Sequence, residues 1–214
     1  MRDRDVRTAL ASTIAAKLRG SDHVLVPEVE IRWSIPARID ALLVNDRISG
    51  FEIKSDVDSL ARLPRQVEAY GAVVERAHLV VGLRHQMAAT TVVPDWWGIW
   101  TATWNDNNVS IRQVRRGRLN PDVNPLAVTS FLSRADLTAA LRQVGEQQLS
   151  SKPVDTLRTL LLGRVGPQGT LALARSSMLA RVDWRNKSLT NAVAHPGVPM
   201  SFPGPASRAA TGPA

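Results

Sequence analysis

Ala37-Arg38-Ile39-Asp40, Phe51-Glu52-Ile53-Lys54 and Pro64-Arg65-Gln66-Val67-Glu68-Ala69-Tyr70 are the three pieces of sequence whose reading decides the fold. Arg38 to Val44 reads as a strand, Asn45-Asp46-Arg47 as a hairpin turn and Ile48 to Lys54 as the returning strand. Residues two apart on a strand share a face, so Glu52 and Lys54 project together while Phe51 and Ile53 face a core. Asp40, on the antiparallel neighbour, can reach the face of Glu52. Ser55-Asp56-Val57-Asp58-Ser59 is dense in capping residues, and Pro64 suits the first turn of a helix running to about Glu75. Ionisable side chains therefore interrupt apolar strands, a conflict with folding rules that is expected where a site is built.

Upstream, Val6, Leu10, Ile14 and Leu18 recur at helical spacing over 5–18, with Arg7, Lys17 and Arg19 off that face and Gly20 as the stop. Val24 to Trp33 reads as a strand, and Pro27 makes it an edge or bulged one. Downstream, the apolar run Ala77 to Gly82 suits a strand covered on both faces. A short helix over 85–91 precedes strands over 96–103 and 109–114, joined through the turn at 105–108. The order is that of an α/β fold around a mixed central sheet flanked by helices.

Residues 1–120 form this core in the reading. Asn120-Pro121-Asp122-Val123-Asn124-Pro125 is linker-like, and helical segments over 133–148, 153–162 and 170–184 make a small C-terminal helical appendage spanning 121–185. Residues 186–214, rich in Pro, Gly, Ala and Ser without apolar periodicity, read as a disordered tail.

With 44% apolar and 21% charged residues among 214, the composition is that of a folded protein able to bury a core. The net charge is +8, and the cations are Arg except for Lys17, Lys54, Lys152 and Lys187. Arg excess points to a phosphate-bearing partner, although a GC-rich genome produces the same bias. Having no Cys excludes disulfides, thiolate nucleophiles and Cys-ligated metal, and fits the cytoplasm. No signal peptide is read at the N-terminus, and no apolar run approaches the roughly 18 residues of a membrane span. No P-loop and no nucleophile elbow is present.

Two carboxylates held close together repel, and a divalent cation relieves that repulsion. Mg²⁺ takes hard oxygen ligands, and a neighbouring ammonium can neutralise charge that develops on a phosphate. Taken singly, an E-x-K on a strand is commonly an exposed ion pair. The combination of Asp40 with Glu52-Ile53-Lys54 resembles the pattern of the PD-(D/E)XK nuclease superfamily, and Gln66 with Tyr70 resembles the Q-x-x-x-Y motif of its RecB-like branch. The wording Phe-Glu-Ile-Lys-Ser-Asp followed by Ser-Leu-Ala-Arg-Leu-Pro-Arg-Gln is most similar to the sce7726 family, which is placed in that superfamily. The resemblance covers about residues 5–120.

The resemblance implies a restriction-endonuclease-like fold and a Mg²⁺- or Mn²⁺-dependent nuclease hydrolysing DNA phosphodiesters, in DNA repair or in defence against foreign DNA. Asp40 and Glu52 would ligate the metal, the Ile53 carbonyl could add a ligand, and Lys54 would serve catalysis. Gln66 and Tyr70 would shape the site or touch phosphate. The first helix offers no Glu as third acid, and Glu28 is the preferred substitute.

Arg38, Arg62, Arg65, Arg115 and Arg116 are the candidate phosphate contacts; the basic run of Arg112, Arg115, Arg116 and Arg118 reads equally well as a charged edge. Trp96, Trp97, Trp100 and Trp104, read along one strand, suit packing better than base stacking. His23, His78, His85 and His195 have no metal-ligand spacing. The alternatives are a catalytically silent DNA-binding protein of the same fold and a regulatory protein-interaction module. An RNA substrate and a homodimer stay open.

Overall fold

The computed structural model describes residues 3–105 and 108–194. Six strands form one sheet in the order β1-β2-β3-β4-β5-β6: β1 Val24–Ile31, β2 Ala37–Val44, β3 Ile48–Lys54, β4 Arg76–Gly82, β5 Gly98–Asn105 and β6 Asn108–Arg115. The first three are antiparallel, β3, β4 and β5 are parallel, and β6 returns antiparallel. Every residue of β3 is buried, as expected of a strand with a neighbour on each side and a layer on each face. In β6, exposed and half-buried residues alternate along the whole strand, the pattern of a margin.

The helices are α1 Asp3–Lys17, α2 Leu63–Val73, α3 Gln86–Val92, α4 Pro125–Val128, α5 Arg134–Gln143, α6 Val154–Ala180, α7 Val182–Lys187 and α8 Leu189–Ala194. One layer sets Val6, Leu10 and Ile14 of α1 against Leu25, Leu43, Phe51, Val80 and Trp100, with Leu189 of α8 joining them. The other face carries a larger core in which Ile39, Leu42, Tyr70, Leu79, Val81 and Ile99 meet Leu137, Leu141, Leu157, Leu161 and Met178. Among the described residues no helix is long and apolar enough to cross a membrane.

Several expectations change. Arg7 lies on the buried side of α1, not off it. Trp96 and Trp97 precede β5 instead of lying on it. Trp97 and Trp100 are packed into opposite cores. The short helix is a 3-10 turn over Leu83–His85 that continues into α3.

The linker-like stretch is fixed to the sheet. The Asn120 amide donates to the Gly71 and Val74 carbonyls at the end of α2, and Asn124 caps α4. Glu75, 6% exposed, accepts from the Ile48 amide at 2.9 Å and from Arg175 of α6 at 2.7 Å. The C-terminal helices thus share the core of the sheet. Two of the three expected helices are one long element, broken where Gly166 takes φ 68° before Pro167. Residues 186–194, read as part of a tail, form the end of α7, the joint at Ser188 and α8, with Ser188, Leu189 and Thr190 buried. Ser188 Oγ accepts from the Leu25 amide at 3.0 Å. The turn residues 106–107, His195 and the remainder of the expected tail lie outside the described residues.

Candidate functional site

The β2–β3 ladder runs from Val44↔Ile48 to Ala41↔Phe51 and stops there. Asp40 and Glu52 are the next residues, so both acids stand where the strands part. Asp40 replaces the missing backbone rung with its side chain: Oδ2 accepts from the Ile53 amide at 2.8 Å. Its own amide donates to the Tyr70 hydroxyl at 3.3 Å. On the other side, Glu28 drops out of the β1–β2 ladder opposite Asp40 without changing the register. Its φ is 53°, a conformation that costs a non-glycine residue about 1–2 kcal/mol. Two consecutive ladders thus give up a pairing at the same level of the sheet.

Glu52 is fully buried. Oε1 pairs with Lys54 Nζ at 2.5 Å, and Oε2 accepts from the Tyr70 hydroxyl at 2.7 Å. Lys54, itself 5% exposed, therefore lies on the same face as Glu52, as their spacing of two predicts. Tyr70 is held neutral: burial, then the charges of Glu52 and Asp40, push its pKa well above the usual phenol value. Its hydroxyl donates to Glu52 and is sealed from solvent. A buried ion pair with one further donor is the satisfied arrangement that such charges require.

A guanidinium missed by the sequence reading organises the opposite wall. Arg7 Nε pairs with Asp3 at 2.7 Å, and its terminal nitrogens reach Glu28 at 3.3 Å and Asp40 at 3.6 Å. Its i, i+4 spacing from Asp3 was the available sequence signal; the reach to Glu28 and Asp40 is tertiary. Asp40 titrates at about 7, raised by burial and then by the charge of Glu52, with the Ile53 amide, Arg7 and Lys54 acting the other way.

A cleft of about 590 Å³ opens onto these groups, lined also by Arg38, Arg62, Arg65 and Gln66. Three of the expected phosphate contacts thus surround it, as does Gln66, whose Oε1 is buried without a partner. Arg115 does not line it: its guanidinium donates to the Trp97 and Pro94 carbonyls. Arg116 lines a separate pocket. Glu28 is also apart, paired with Arg7 and Arg38, and lines a pocket at β1. Among the described residues no three His, Cys, Asp or Glu side chains gather to hold a metal ion.

Two hard carboxylates in one cleft nevertheless suit Mg²⁺ or Mn²⁺, which are commonly held by one or two carboxylates with water and phosphate completing the shell. The pKa of Asp40 is raised first by burial and then by the charge of Glu52, and a divalent cation would relieve the second of these. To offer Oε1, Glu52 would have to share it with Lys54.

Fold and site together define an α/β protein with a charged cleft at the splayed ends of two central strands. The chain belongs to the family described as Bacteriophage P4 protein cII, which matches residues 4–162, a span running from α1 into α6. Protein cII of Enterobacteria phage P4 is 27% identical over 146 residues, covering 68% of this chain and 54% of that protein; the chain spans about half the length of this relative. Among solved structures, the SPO1766 protein of unknown function from Silicibacter pomeroyi is similar at 18% identity and a TM-score of 0.43, over 72% of this chain and 99% of that one.

Proposed function

We propose that the chain is a metal-dependent nuclease of the PD-(D/E)XK type, with a restriction-endonuclease-like core, that hydrolyses DNA phosphodiester bonds. The observation that carries this reading is the convergence of Asp40, Glu52 and Lys54 in one Arg-rimmed cleft. Asp40 and Glu52, with the Ile53 carbonyl, are the groups that would hold Mg²⁺ or Mn²⁺. A bound cation would supply Lewis-acid polarisation of the scissile phosphate. Arg38, Arg62 and Arg65, all exposed, would hold the nucleic-acid backbone by charge-assisted hydrogen bonds. Lys54 would stabilise negative charge developing on the phosphate oxygen, at low dielectric cost because it is already desolvated. Tyr70 fixes the carboxylate of Glu52 so that its position does not depend on substrate.

The test is incubation of the purified chain with single-stranded, double-stranded and RNA substrates in Mg²⁺, Mn²⁺ or chelator. Cleavage is expected with metal alone, reduced at least about a hundredfold in Glu52→Gln and Lys54→Ala. Calorimetric Mn²⁺ binding should be lost in Asp40→Asn. Failure to cleave any of these polymers overturns the reading.

A second reading, a DNA-binding protein of the same fold without turnover, is favoured by one observation: Arg7 already pairs with Asp40 and Glu28, a place a cation would otherwise take. In that case DNA affinity would be indifferent to metal and to Glu52→Gln.

A further inference from the structure

A second pocket, of about 190 Å³, lies on the α1 face of the sheet and shares no lining residue with the cleft. Its wall combines Lys17 from the end of α1, Ser49 of β3, Arg76 and His78 of β4, Trp100 of β5 and Arg116 beyond β6. Three of the four cations here, Lys17, Arg76 and Arg116, are not spent on acids. Arg76 Nε is buried with no hydrogen-bond partner, and among the described residues neither Arg76 nor Arg116 takes part in an ion pair. Arg47, which also lines the pocket, is drawn 3.9 Å from Glu75. The Lys17 ammonium sits 4.2 Å over the Trp100 ring, which fixes it at the wall without neutralising it. The one carboxylate of the lining, Asp46, is exposed.

His78 is built in as a neutral donor. It is 8% exposed, stacked on Phe51 at 4.7 Å, and its Nδ1 accepts from the Trp100 indole N–H at 3.2 Å. An indole nitrogen only donates, so Nδ1 is bare and the ring proton resides on Nε2. Burial, then the charges of Arg76 and Lys17, lower the imidazole to about 4, which keeps it uncharged. Gly98 and Gly117 bring their backbone against the ring and hold it in place; a Cβ at Gly98 would lie 2.2 Å from Nδ1 and one at Gly117 2.7 Å from Cε1. A fixed N–H donor, a serine hydroxyl and three uncompensated cations form a set that matches a tetrahedral oxyanion.

We propose that this pocket binds a phosphate group, presented either by a small phosphorylated molecule or by a nucleic-acid backbone. The assignment is independent of the nuclease reading. Two probes separate the sources, both used in chelator on the full chain: inorganic phosphate by calorimetry, and a labelled oligonucleotide by anisotropy across a salt series. Arg76→Gln and Arg116→Gln are compared with Arg19→Gln, an exposed residue outside the pocket, and thermal unfolding checks the fold; Arg116 is exposed, so its variant keeps the test alive if Arg76→Gln is destabilised.

Phosphate binding weakened about tenfold in either pocket variant, with oligonucleotide affinity unchanged, assigns a small phosphorylated ligand. A fall in oligonucleotide affinity with a salt slope reduced by about one assigns a backbone phosphate. The proposal is overturned if neither probe binds the wild-type chain, or if both bind the pocket variants as they bind wild type.

Discussion

Glu52 has its two carboxylate oxygens divided between Lys54 and Tyr70. Replacing Tyr70 by Phe removes one donor from a fully buried charge and should cost about 1–3 kcal/mol of stability. Denaturant unfolding measures that cost; if the cleft is catalytic, turnover in the same variant falls while substrate affinity changes little. Two buried groups also give opposite pH dependences. Asp40 is raised to about 7, so its share of stability is complete below the ordinary carboxylate pKa and is lost as pH rises toward 7. His78 is lowered to about 4, so its neutral burial costs nothing above about 6.5 and up to about 3 kcal/mol as pH falls through 4. In wild type the two slopes partly cancel between 4 and 6.5. Asp40→Asn, unfolded by urea in chelator, should therefore lose stability more steeply on acidification than wild type. Asp40, Glu52 and Lys54 were legible because strand parity and the hairpin bring them to one face, and Tyr70 through the resemblance of Gln66 and Tyr70 to the Q-x-x-x-Y motif. Arg7 was not: an arginine at the rim of an apolar stripe reads as solvated until tertiary packing sets Glu28 and Asp40 beside it.

The strands were legible to within a residue or two because alternation in β2 and the all-apolar run of β4 leave few other solutions. β5 was misplaced since Trp96 and Trp97 carry strand propensity but are used in the turn that enters it. The long α6 shows the converse. Gly166 and Pro167 read as a boundary between helices, and locally they are one, but the two halves pack as a single element against α4 and α5. Gly166→Ala forces a side chain into a left-handed conformation and should lower the thermal midpoint, at about 1–2 kcal/mol. Gly163→Ala, a few residues earlier at an ordinary helical position, should leave it unchanged or raise it.

At the scale of the molecule, composition alone could not show that residues beyond 120 belong to the core of the sheet. Polar Asn and Pro look like a connector, yet Asn120 and Asn124 are spent on capping α2 and α4. A chain ending at Asn120 would expose the surfaces that Leu137, Leu141, Leu157, Leu161 and Met178 cover. It should fail to unfold cooperatively and should bind a hydrophobic dye, whereas the full chain should show one transition followed alike by fluorescence and circular dichroism. The hydroxyl of Ser188 on the Leu25 amide has a wider consequence. An open margin of a sheet invites any extended peptide to dock as an added rung. On the β1 side that invitation is answered from within the same polypeptide, so strand exchange or augmentation by a second chain is directed to the far margin, β6, where arginine sets the terms of entry.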